Sequence, residues 1–267
     1  MNHKRTGHGK PLMLIHGLGS SLRTWDTILD PLAAQREVVA IDLPGFGATP
    51  PLSGKPTIAA LTDAVVAFLG DHDLRGVDVV GSSMGGRIAL ELARRGEVGA
   101  TVALDPGGFW TPGEVRFFEL SVGASIRLVR ALAPAMPFLT GNAAGRTMLF
   151  AQFSARPWAL PADATLNEMR DFASSPTIMQ TLHELVHGPT QEGAPRGSTP
   201  GPITIGWGRS DRVTLPSQAQ RAQERFPGAR LHWFHRCGHF PHWDAPEVTS
   251  RLILDATAQT AGHPVAA

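Results

Sequence analysis

Apolar and polar positions follow two rhythms along the first hundred residues. Short runs rich in β-branched and other apolar side chains, at 11–16, 37–43, 77–81 and 100–105, read as buried strands. Between them lie helical patterns: a segment capped near Ser20-Ser21, then 57–69, then 86–95 with Gly96 as its stop signal. Strands alternating with helices predict a parallel sheet with crossover helices. The rhythm breaks at about Phe109, and no strand pattern returns before Thr199. Two or three amphipathic helices are expected there, such as 114–132 and 164–186. This stretch is dense in large apolar residues: Phe117, Phe118, Met136, Phe138, Met148, Phe150, Phe153 and Trp158. A Gly/Pro-rich linker at 193–201 follows; strand character then resumes at 203–207 and 230–235, and Pro246 opens a last helix. The expected organisation is one α/β core in two pieces, 1–107 and 201–267, split by an all-helical insertion at 108–200.

Composition narrows the possibilities further. At 267 residues the chain can bury a sizeable core. A net charge of +1, with no block of basic residues, gives no sign of a nucleic-acid partner. The one cysteine, Cys237, rules out a disulfide framework within the chain and reads as a small apolar residue near a strand end. The apolar run after the basic N-terminus is too short for a signal peptide, and no stretch approaches a membrane span. A soluble, cytoplasmic protein without a membrane partner is the expectation; the oligomeric state is not legible.

Candidate chemistry centres on Gly81-Ser82-Ser83-Met84-Gly85. A strand pattern precedes it and a helical one follows, the setting of a nucleophile elbow. A tight strand-to-helix turn strains the middle residue and stands its hydroxyl clear of the sheet. Glycines flank it because a side chain two positions away would strike a neighbouring element. A serine hydroxyl needs a base to take its proton and an acid to hold that base. Both belong on loops at the carboxyl ends of strands. Asp211 follows the 203–207 strand in Gly208-Arg209-Ser210-Asp211, and His239 follows the next in Cys237-Gly238-His239-Phe240. The order Ser83, Asp211, His239 is the one this elbow expects. The amides of Leu18, after the first strong strand, and Met84, opening the helix, are the expected oxyanion hole.

These segments together resemble the α/β-hydrolases: His16-Gly17-Leu18-Gly19, Asp42-Leu43-Pro44-Gly45-Phe46-Gly47, the elbow, Gly208-Arg209-Ser210-Asp211 and Gly238-His239-Phe240-Pro241. The resemblance implies a mostly parallel sheet with helices on both faces and a helical cap where the insertion lies. Only about ten residues precede the first strong strand, so the usual leading hairpin is expected to be cut short, leaving about seven strands. The activity implied is cleavage of a small to medium, largely apolar carboxylic ester, lactone or amide. It would proceed through an acyl-enzyme on Ser83, with no metal or organic cofactor. A serine at the elbow argues against epoxide hydrolase or haloalkane dehalogenase chemistry.

Rival readings attach to the same residues. Asp105, ending the preceding strand, competes with Asp211 for the acid; His235 and His242 compete with His239 for the base. Hydrolysis of a carbon–carbon bond in a dienone-type substrate is the enzymatic alternative. Trp243 sits where such hydrolases resemble this chain, but the loop after His16-Gly17 lacks their glycine-proline pattern. A small-molecule receptor that keeps the triad without turnover is the alternative of another class. His183-Glu184-Leu185-Val186-His187 matches a zinc signature, yet Gly188-Pro189 stops the helix at once, and Thr190 and Gly193 stand where the extended signature needs glycine and histidine. Gly17-Leu18-Gly19 imitates a dinucleotide loop, but Leu22 occupies its third glycine position.

Overall fold

The computed structural model describes residues 1–258. Seven strands form one sheet: β1 (His3–Thr6), β2 (Pro11–Ile15), β3 (Glu37–Ile41), β4 (Asp78–Ser82), β5 (Thr101–Leu104), β6 (Ile203–Gly208) and β7 (Arg230–Phe234). Their spatial order is β1-β3-β2-β4-β5-β6-β7. All neighbours run parallel except β1, which lies antiparallel along β3, with His3 opposite Ile41. The short leader expected from the sequence therefore supplies one edge strand.

Side chains alternate between the two faces of the sheet, so each face has its own core. Met13, Ile15, Val39, Ile41 and Val79 join one cluster with helices α2 (Ile58–Asp71) and α3 (Met84–Arg94). Leu12, Leu14, Val38, Ala40 and Val80 join the other with α1 (Asp26–Ala33) and α11 (Pro246–Ala258). Pro246 opens α11 as expected; residues 259–267 of the expected second core piece lie outside the described residues.

Between β5 and β6 the chain is helical: α4 (Pro112–Ala131), α5 (Met136–Gly141), α6 (Ala143–Phe150), α7 (Ala162–Ser174) and α8 (Ile178–His187). Thr111 and Glu114 close a capping box on α4. The single helix expected over 164–186 is two, because Pro176 bars a helical Ser175, which is extended at φ −59°, ψ 119°. Two further helices, α9 (Gln218–Arg225) and α10 (Pro241–Asp244), flank β7. No single described helix is long and apolar enough to cross a membrane.

Candidate active site

The elbow is built by close approach. Ser83 follows β4 at φ 55°, ψ −116°, a region that side-chain-bearing residues rarely enter. Its amide donates to the Leu104 carbonyl at 2.9 Å, while its own carbonyl accepts from Arg87 at 3.0 Å and Gly107 at 3.3 Å. These bonds tie the strained residue to β5 and α3 together. A Cβ at Gly81 would lie 2.1 Å from the Gly85 carbonyl oxygen, and one at Gly85 would lie 2.2 Å from that of Ile15. Both glycines are thus required by their neighbours, as the sequence suggested.

Asp211 and His239 meet beneath the surface. His239 Nδ1 lies 2.9 Å from Asp211 Oδ2, and both side chains are buried. Asp211 Oδ1 accepts from the amides of Val213 at 2.7 Å and Thr214 at 3.2 Å, an Asx-turn. The Thr214 hydroxyl reaches Asp211 Oδ2 at 2.7 Å. A carboxylate with these donors is fixed in orientation, and it holds the proton on Nδ1, leaving Nε2 as the imidazole's acceptor. The His239 amide in turn donates to the Phe153 carbonyl at 2.7 Å, so the helical insertion holds the histidine loop. Asp244 adds to this clasp, accepting from Gly238 N at 2.7 Å, Ala155 N at 2.8 Å and Ser154 Oγ at 2.5 Å.

Asp105, the rival acid, ends β5 at φ 45° with no exposure. Its Oδ1 accepts from Gly208 N at 2.7 Å, and its carboxyl lies within hydrogen-bond reach of that of Asp211. Burial, and then the nearby Asp211 charge, hold its pKa well above the usual carboxylate range. Asp105 therefore favours its protonated form, and no hydrogen bond joins it to His239 among the described residues. The donor atoms of Asp105, Asp211 and His239 lie within 4.8 Å of one another, the one grouping of described residues compact enough to hold a metal. Within this grouping His239 Nδ1 and Asp211 Oδ2 are bonded to each other.

The other sequence candidates fall elsewhere. His242 is buried against Trp25, its ring near the Thr24 hydroxyl, and burial pushes its pKa down to about 3. His235 is exposed. His183 and His187 stack on each other at 4.2 Å on an exposed face, and Glu184 pairs with Lys55. His16 accepts from Leu43 N at 3.0 Å and bonds the Gly17 carbonyl at 2.7 Å, organising its loop; burial lowers its pKa. Asp42 ties together Leu22 N, Ala48 N and Asn2 Nδ2. Burial raises the Cys237 thiol to about 12, which leaves it unreactive.

A narrow cavity opens onto both Ser83 and His239. The two side chains share this space without a direct hydrogen bond among the described contacts. Phe118, Phe150, Phe153, Met169 and Phe172 wall it from the insertion, whereas Phe117, Phe138, Met148 and Trp158 face outward. One lining residue breaks the apolar wall: Glu168 of α7. Burial drives its pKa up to about 8, against the pull of the Ser20 and Thr24 hydroxyls. A smaller space at Ser83 is lined by Leu18, Met84, Arg87 and Trp110. Leu18 N–H has no acceptor among the described residues, and Met84, first in its helix, has none within it. Sequence reasoning missed Thr214, Asp244 and Glu168. Only Thr214 carries a local signal, three residues after an aspartate in a loop.

A model of the alpha/beta hydrolase family matches residues 12–252. The chain is 27% identical over 259 residues to the dihydrolipoyllysine-residue acetyltransferase component of the acetoin cleaving system of Cupriavidus necator, covering 94% of this chain but only 64% of that protein. It is 26% identical over 263 residues to a 2-hydroxy-6-oxononadienedioate/2-hydroxy-6-oxononatrienedioate hydrolase of Cupriavidus pinatubonensis, covering 94% and 88% of the two chains. Its fold superposes on a thermophilic esterase from Thermogutta terrifontis with a TM-score of 0.76 at 18% identity, over 97% of this chain and 93% of that one.

Proposed function

Because the chain belongs to the alpha/beta hydrolase family, we propose that it is a serine hydrolase cleaving a small to medium, largely apolar carboxylic ester, lactone or amide. One observation carries this reading: Ser83, held at φ 55° at the end of β4, faces the same cavity as His239, whose Nδ1 is bonded to Asp211 at 2.9 Å. His239 Nε2 takes the Ser83 proton as Oγ bonds to the carbonyl carbon, then passes that proton to the leaving alcohol. Water attacks the acyl-enzyme by the same path in reverse. The amides of Leu18 and Met84 receive the oxyanion, aided by the positive end of α3. The helices between β5 and β6 act as a cap whose inward aromatics select the acyl chain.

A phosphonate that reacts only with activated serines should add once per chain, and peptide mass mapping should find it on Ser83. Ser83→Ala should stay folded and lose esterase activity by several orders of magnitude. Labelling elsewhere, or full activity in Ser83→Ala, ends this reading. Labelling without turnover of any ester favours a receptor. A second reading, hydrolysis of a carbon–carbon bond, draws support from the Cupriavidus pinatubonensis relative. Adding a dienone acid to the ester panel separates the two.

A further inference from the structure

Glu168 occupies a position that the packing of its helix reserves for an apolar residue. The buried face of α7 is formed by Thr165, Glu168, Met169 and Phe172, spaced one helical turn apart. Phe172 packs so tightly onto the loop after β2 that a Cβ at Gly19 would lie 2.4 Å from its ring. Asp171, on the next turn, already ties the helix to that loop through Ser21 Oγ at 2.6 Å and Arg23 at 2.5 Å. The helix has its polar anchor without Glu168. The Glu168 side chain instead lines the cavity shared by Ser83 and His239, where every other wall is apolar. Leucine there would cost nothing in packing, whereas a carboxyl taken from water costs several kcal/mol unless something bonds to it.

The chemistry of the occupant follows from what the carboxyl has left to offer. Burial pushes its pKa up to about 8, against the pull of the Ser20 and Thr24 hydroxyls beside it, so the protonated form is favoured at neutral pH. That form carries one O–H to give, and the two hydroxyls take up only part of its hydrogen-bonding capacity. An ammonium group would favour the ionised form, and a plain hydrocarbon gives the carboxyl no partner.

We propose that Glu168 is a substrate-binding residue that donates a hydrogen bond to an oxygen acceptor on the chain lying in this cavity. The preferred substrates are then oxo-, alkoxy- or hydroxy-substituted acyl esters rather than plain hydrocarbon ones. The proposal rests on the serine hydrolase reading for its reaction but not for its binding test.

Matched p-nitrophenyl esters test it: straight-chain acyl groups of four to eight carbons, each plain or carrying one oxo group at successive positions. For one position of the oxo group, the wild-type protein should show kcat/KM about tenfold above the plain ester, the effect of one ordinary hydrogen bond. Glu168→Gln, whose amide still donates, should keep most of that preference. Glu168→Leu should abolish it, bringing the two esters to about equal kcat/KM; Glu168→Met repeats the comparison if the leucine variant does not fold. A purely structural role would lower both esters alike and leave their ratio unchanged. That result, or a wild-type protein indifferent to the oxo group at every position, overturns the proposal. Calorimetric titration of the Ser83→Ala protein with the matching methyl esters asks the same question without turnover. Oxo-selective binding there, with no hydrolysis by the wild type, upholds Glu168 and sinks the hydrolase reading; equal binding of both ester types sinks the Glu168 assignment whatever the enzyme hydrolyses.

Discussion

At the scale of single residues, two aspartates at neighbouring strand ends invite opposite expectations. Asp211 bonds His239, and its charge holds the imidazole in one tautomer. Asp211→Asn should stay folded and lower kcat by about 10³–10⁴, the general cost of a misdirected imidazole. Asp105 favours its protonated form, its pKa held above the usual carboxylate range by burial and by Asp211. Asparagine imitates a protonated aspartate, so Asp105→Asn should cost no more than about tenfold in kcat. Steady-state kinetics of both variants decide between them; a crippled Asp105→Asn with a mild Asp211→Asn reverses the assignment. Ser83, Asp211 and His239 were legible because each follows a strand pattern at a glycine-bearing turn, a signal local to the chain. Glu168 was not. It lies beside Asn167 in an otherwise mixed helical pattern, and only the docking of α7 onto the loop after β2 brings it to the cavity. Asp244 was hidden for the same reason, since its partners Ser154 and Ala155 are about ninety residues away in sequence.

At the scale of elements, the elbow leaves no room for change. Gly85→Ala places a methyl group 2.2 Å from the Ile15 carbonyl oxygen, backbone that cannot swing aside. The substitution should cost at least about 3 kcal/mol; a thermal melt within a degree or two of wild type would show that α3 can shift after all. The central strands could be read from their apolar runs, because a parallel sheet buried on both faces writes itself as continuous hydrophobic sequence, and β7, a half-buried edge strand, from its Leu, Trp and Phe. β1 could not, since His3–Thr6 is a polar edge strand whose pairing to β3 is decided by register rather than composition. The insertion was legible as helix but not in its parts. A helical period runs through Ser175-Pro176 in the letters, while the proline's ring forbids it in the backbone. The short helices α5 and α6 lie below the length at which periodicity can be told from chance.

For the whole molecule, the buried titratable groups set the pH range of stability. His242 is held down to about 3 in the fold, against 6.5 for the free side chain. The unfolded chain therefore binds the extra proton, and stability falls as pH drops from about 6.5 toward 3. Glu168 is raised from 4.5 to about 8, so the folded chain binds the proton more tightly, and stability falls as pH rises from about 4.5 toward 8. His16 acts in the sense of His242, and Asp105 in the sense of Glu168. Urea denaturation across this range should place the stability maximum on the acid side of neutrality. Glu168→Gln should be progressively more stable than wild type from about pH 5 to 8 and hold a constant lead above that. A maximum at pH 8 or higher would contradict these assignments.

The bond from the His239 amide to the Phe153 carbonyl has a bearing on timing. The loop that carries the base is fastened to the roof of the chamber, and Asp244 rivets Ser154 to Gly238 one residue away. Any swing of the roof wide enough to admit a molecule pulls on the imidazole's own backbone. On the proposed serine mechanism, an open roof would leave the base misaligned, and alignment would return only as the roof settles back; admission and reaction would then be successive states.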